Sequence, residues 1–142
     1  MEKELLNLFE GNSELFITTS LTGEVDERGK HVARTLTLHE PVTLKLWKDH
    51  LEGVQRIGIK PENGDVVKWG CIDIDPQSYT GFSEKKIVDI IRENNLPLIA
   101  VRSKSGGLHL FLFLKDWAPV KDLLKKLNEW NNNFFQSLEV FP

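Results

Sequence analysis

Trp69-Gly70-Cys71-Ile72-Asp73-Ile74-Asp75 is an apolar run that ends in two aspartates one residue apart. Read as a strand, it repeats side chains on one face every second residue, so Asp73 and Asp75 project together. Two neighbouring carboxylates repel unless a cation lies between them. Mg²⁺ and Mn²⁺, hard ions that favour oxygen ligands, are the simplest such cations. Further on, Arg102-Ser103-Lys104-Ser105-Gly106-Gly107-Leu108-His109 leads straight into Leu110-Phe111-Leu112-Phe113-Leu114. A Gly/Ser-rich loop carrying Arg, Lys and His is a seat for phosphates. Together the two segments point to metal-dependent chemistry on a nucleotide.

Around them the pattern is regular. Val66–Asp75 reads as a strand, and Glu84–Asn94 as a helix with Ser83 as N-cap and apolar positions at Ile87, Val88, Ile90 and Ile91. Leu96–Arg102 and Leu108–Leu114 read as strands. Val120–Phe134 reads as a helix striped by Leu123, Leu124, Leu127 and Trp130, and Leu138–Phe141 as a last strand. The expected order is βαββαβ, the RRM-like (ferredoxin-like) arrangement of an α+β fold. In that arrangement the first strand is central, flanked by the third and fourth. Alternation then sends Ile72, Ile74, Leu108, Leu110, Leu112, Leu138 and Val140 toward the helices. Asp73, Asp75, His109 and Glu139 share the opposite face with Trp69, Cys71, Phe111, Phe113 and Phe141, a set too apolar to stand in water.

Upstream, residues 2–10 read as a helix stopped by Gly11. Leu15–Leu21 and His31–His39 read as strands joined by a polar hairpin loop, Thr22–Lys30. Thr43–Leu51 forms a short helix, Ile57-Gly58-Ile59 a brief strand, and Pro61–Asp65 a turn. Residues 1–60 thus make an N-terminal αββα unit expected to cover part of the sheet face, leaving a cleft over the carboxylates. Residues 61–142 make the core.

Composition sets outer bounds. The 142 residues are 40% apolar, enough for a buried core, and no apolar stretch approaches the ~20 residues of a membrane span. Met1-Glu2-Lys3-Glu4 does not begin a secretory signal. One cysteine, Cys71, precludes an internal disulfide and suits a reducing, cytoplasmic compartment. Its place in an apolar strand favours packing over reactivity. Four scattered histidines give no zinc-site spacing. A net charge of −3 argues against a strong unaided grip on a nucleic-acid duplex, which basic proteins provide. The run Leu138-Glu139-Val140-Phe141-Pro142 stops straight out of a strand-like pattern, as expected for a piece of a longer chain.

This constellation resembles the catalytic core of archaeo-eukaryotic primases and primase-polymerases. Their first motif, an apolar strand ending in Asp-x-Asp, is matched by Asp73-Ile74-Asp75. Their second, a Ser/Gly-rich loop feeding a His on a strand, is matched by Ser103-Lys104-Ser105-Gly106-Gly107-Leu108-His109. Their third, an acidic residue on a later strand, is matched by Glu139, where many members have Asp. Leu8-Phe9-Glu10-Gly11 and Ile57-Gly58-Ile59-Lys60-Pro61 look like the helicase-linked primase modules of phage and mobile-element replication proteins, so the likeness spans nearly the whole chain.

The resemblance implies two-metal nucleotidyl transfer with Mg²⁺ or Mn²⁺ held by Asp73, Asp75 and Glu139. It implies nucleotide triphosphates as substrates, a single-stranded DNA template or primer-template, and a helicase domain or subunit as partner. His109 would hydrogen-bond the triphosphate, with Ser103 or Ser105 and the N–H groups of Gly106 and Gly107 forming a cradle. Arg102 and Lys104 alternate with Ser103, so only one of these sets can face the nucleotide; either cation could instead meet template phosphates.

Two rivals share this topology. A non-catalytic RRM-like nucleic-acid-binding module displays alternate aromatics from its third strand, and Phe111 and Phe113 have that spacing. Such modules want an aromatic where this chain has Asp73 and Asp75. A replication-initiator endonuclease needs a second metal-binding His and a tyrosine nucleophile. The strand after His109 lacks that His, and the one tyrosine, Tyr79, lies in the loop after Asp75. Elsewhere, Trp47 and Trp130 read as core anchors, Lys121, Lys125 and Lys126 as a solvated helix face, and Asn131-Asn132-Asn133 as a helix end.

Overall fold

In the computed structural model the chain divides into two units, Met1–Gly64 and Asp65–Pro142. The structure describes residues 1–137 and 139–142. The first unit runs α1 (Glu2–Leu8), β1 (Phe16–Val25), β2 (His31–Leu38), α2 (Leu44–Leu51) and β3 (Arg56–Gly58). Its antiparallel sheet has the order β2-β1-β3. Phe16 and Trp47 are buried, and Phe9 meets the Trp47 ring at 5.8 Å. Thr43 caps α2, its hydroxyl accepting the Leu46 N–H at 3.3 Å. The β1–β2 hairpin closes at Asp26, whose carboxylate accepts the N–H groups of Arg28 and Lys30 at 2.9 and 2.8 Å. β1 runs on to Val25, so this Asx turn shortens the loop expected at Thr22–Lys30 to Asp26–Lys30.

The second unit runs β4 (Val66–Ile74), α3 (Glu84–Glu93), β5 (Ile99–Arg102), β6 (Leu108–Pro119), α4 (Val120–Trp130), a π-helical turn (Asn131–Phe135) and β7 (Glu139–Phe141). Its sheet has the order β5-β6-β4-β7, with every neighbouring pair antiparallel. Both units are therefore α+β. Ile72, Ile74, Leu108, Leu110 and Leu112 form one core with Ile87, Ile91, Leu123, Leu127 and Phe135. Burying each such side chain is worth roughly 1.5–3 kcal/mol. Gly70 lets α4 approach: a Cβ there would lie 2.5 Å from Leu123 Cδ2 and 2.8 Å from Leu127 Cδ1.

The structure departs from the sequence-based boundaries where caps and irregular turns intervene. Leu96, expected in a strand, instead closes α3. Its N–H donates to the Ile91 carbonyl at 3.0 Å and the Asn95 N–H to the Arg92 carbonyl at 3.2 Å, with Asn95 at φ 49°, a Schellman cap. β6 runs five residues past Leu114, to Pro119, because its far end pairs with Val66 and Val67 beyond an irregularity in the ladder. α4 ends at Trp130 and widens into the π turn rather than continuing to Phe134 as α-helix. Leu138, assigned from sequence to the helical face, lies outside the described residues.

Candidate active site

Register builds the site. Asp73 on β4 faces His109 across β6 and Glu139 across β7, so the three side chains stand in one row over three strands. Directly opposed residues on antiparallel strands have Cβ atoms about 4.5–5.5 Å apart, close enough to interact. His109 Nε2 lies 3.5 Å from Asp73 Oδ1, with the two side chains 40% and 29% exposed. Asp75 sits just past the end of β4. Its carbonyl accepts the Ser78 N–H at 3.1 Å and its Oδ1 the Gln77 N–H at 3.0 Å, so Asp75 also folds the turn that follows. A pocket of about 80 Å³ is lined by Asp73, Asp75, Ser78, Tyr79, Ser137 and Glu139. The three acids singled out from sequence thus line one small cavity.

The donor chemistry there is all oxygen, the kind that Mg²⁺ and Mn²⁺ take. In the positions the side chains hold, no group of three His, Cys, Asp or Glu among the described residues forms a cage around one point. Asp73 is turned to His109 and Asp75 to its own turn.

The Ser/Gly loop is knitted to itself. Ser103 Oγ accepts the Gly107 N–H at 3.0 Å, and the Ser103 carbonyl accepts the Gly106 N–H at 3.1 Å. Ser103 and Ser105 hydroxyls are 3.0 Å apart. The two N–H groups expected to cradle phosphate are therefore engaged within the loop. Gly107 abuts the aspartate strand: a Cβ there would lie 2.1 Å from the Ile74 carbonyl oxygen and 2.9 Å from Pro76 Cδ. Lys104 and Ser105 are exposed at the tip. Arg102 makes a bidentate pair with Glu84 at the start of α3, at 2.9–3.1 Å, which links β5 to that helix.

Beside the acids runs an aromatic shelf. His109 meets Phe111 edge-on at 5.8 Å, Phe111 stacks on Phe113 at 5.6 Å, and Trp69 meets Phe111 at 6.1 Å. Cys71 is buried, and burial, then the negative charge of Asp73, pushes its thiol up to about 12. It is a packing residue rather than a nucleophile.

Ser78, Tyr79 and Ser137 line the pocket and were not among the sequence candidates. Ser137 was within reach: two residues before Glu139, alternation puts it on the same face. Tyr79, whose phenol is raised by burial, sits in the irregular loop after Asp75, where no periodicity applies. No protein-family model matches the chain, and no curated protein matches it. Among the described residues no helix is long and apolar enough to cross a membrane.

Proposed function

We propose that this chain is the catalytic core of a metal-dependent nucleotidyltransferase of the primase-polymerase kind, joining nucleotides on a single-stranded template. The observation that carries the proposal is the row Glu139–Asp73–His109, with Asp75 lining the same pocket. The βαββαβ order with β4 between β6 and β7 supports reading the second unit as the RRM-like core such an enzyme would have.

Asp73, Asp75 and Glu139 would hold two divalent ions, Mg²⁺ or Mn²⁺. When bound, such ions make the attacking hydroxyl more acidic and neutralise charge on the leaving pyrophosphate. His109 Nε2 stands 3.5 Å from Asp73 Oδ1, which puts the ring over the acids. His109 would then donate its Nε2–H to a triphosphate oxygen in place of Asp73. With the Gly106 and Gly107 N–H groups engaged, further phosphate contacts fall to the side chains of Lys104 and Ser105 at the loop tip. The Arg102–Glu84 pair keeps that loop anchored at its β5 end. A helicase domain or subunit as partner, and a place in the replication machinery of a prokaryote, phage or mobile element, follow from the same proposal.

The test is primer extension on single-stranded template with and without Mn²⁺. Incorporation should require the metal, and Asp73→Ala should lower it by about 10³-fold or more, some 4 kcal/mol of barrier, without loss of fold. Full activity in Asp73→Ala would sink the proposal. The partly exposed Phe111–Phe113 stack favours a second reading, a non-catalytic RRM-like module that stacks bases. Nucleic-acid binding indifferent to Mg²⁺ and Mn²⁺, with no incorporation, would select it.

A further inference from the structure

Glu139 belongs to a strand of only three residues, and its place beside Asp73 depends on what anchors that strand. The anchor is a relay of hydrogen bonds through two residues with no other assigned role. Asn131, at the start of the π turn, is 5% exposed and is the polar residue that counts as buried among the described residues. Its side-chain amide grips the Ser137 backbone from both sides: Oδ1 accepts the Ser137 N–H at 2.7 Å and Nδ2 donates to the Ser137 carbonyl at 3.0 Å. Its own carbonyl accepts the Gln136 N–H at 2.6 Å, across a left-handed Gln136 at φ 53°. So held, the Ser137 hydroxyl donates to the Asp73 carbonyl and accepts the Glu139 N–H at 3.3 Å. One hydroxyl therefore joins the backbones of two of the acids, and it lines the pocket between them.

We propose that Ser137, gripped by Asn131, is the positioning residue that sets Glu139 against Asp73 for divalent-cation binding. The proposal rests on the metal-dependent reading above. Neither residue touches the ion; the relay fixes the spacing of two carboxylates that would otherwise repel and drift apart. π turns inside or at the ends of helices recur at functional sites because they redirect the chain locally. Here the turn delivers Asn131 inward to meet Ser137.

Two readouts besides activity test this on the full chain: Mn²⁺ uptake, followed by loss of the free-ion EPR signal, and hydrogen-exchange protection across residues 139–141. Ser137→Ala should weaken Mn²⁺ binding about tenfold, the range seen when a group supporting a metal ligand is removed. The same variant should lose protection at the Glu139 amide, with the melting temperature little changed. Ser137→Thr, which keeps the hydroxyl, should restore both. Should Ser137→Ala not fold, Ser137→Cys, nearly the same size but a poor donor, gives the same two readouts. Wild-type uptake that depends on Asp73 but is unaltered in Ser137→Ala or Ser137→Cys overturns this proposal alone. A wild-type chain that takes up no Mn²⁺, or takes it up equally in Asp73→Ala, removes the metal reading and this proposal with it.

Discussion

β1 and β4 are both the middle strands of antiparallel sheets, yet they are made differently. β1 is buried at Phe16, half-buried over the next three residues and exposed from Ser20 to Val25. β4 is buried at six of its nine positions, Asp73 being one of the three that are half-exposed. The contrast shows where a charged residue carries information. Polar side chains on β1 meet water and cost nothing to keep there. A carboxylate next to buried Ile72 and Ile74, in register with a histidine and another acid, resists being explained by solvation alone.

The largest expected difference between the two strands' surroundings is in packing. Leu110→Ala, opposite Ile72, should cost the second unit about 2–5 kcal/mol, while Leu36→Ala on exposed β2 should stay within about 0.5 kcal/mol; chemical denaturation measures both. Equal losses would erase the distinction. Next comes Gly70→Ala on β4, which drives a methyl into Leu123 and Leu127 and should cost about 1–3 kcal/mol. Ser20→Thr on exposed β1 should be nearly neutral by the same measurement. The smallest effects should not differ between the units at all. Thr43→Ala and Ser83→Ala each remove a helix N-cap, accepting from Leu46 and Lys86 at 3.3 and 3.4 Å, and each should cost about 0.5–1 kcal/mol. Caps act locally, so thermal melts showing unequal losses would mean the helices differ in support as well as the strands.

The same contrast explains how much of the molecule was legible in its sequence. The α+β class and the strand through Asp73 announce themselves because Ile72 and Ile74 flank Asp73 on β4 and because β6 alternates from Leu108 to Phe113 between buried and half-exposed residues. Thr43, expected as the first helical residue, is itself the cap of α2, whereas Ser83 was readable as a cap from residue type and position. Leu96 was not, because an apolar residue before Pro97 looks like a strand start until Asn95 is seen to turn left-handed. The far end of β6 hid behind Lys115-Asp116, a charged pair that breaks the apolar pattern while the backbone goes on pairing. At the site, the acids and His109 were found by face and spacing. The engaged N–H groups of Gly106 and Gly107 were not, since a serine that closes a loop and one that binds phosphate look alike in sequence. Asn131 read as a helix end and is one, but the inward turn of its amide depends on a π turn that no periodicity signals.

Gly107 gives the loop and the aspartate strand a common bearing surface. With the Ile74 carbonyl and Pro76 already against its α-carbon, any side chain there becomes a wedge that levers the serine hairpin away from the acids. A saturation library scored for folded protein, not for activity, should therefore find this solvent-side hairpin variable at Lys104 and as closed to change at Gly107 as any position in the interior.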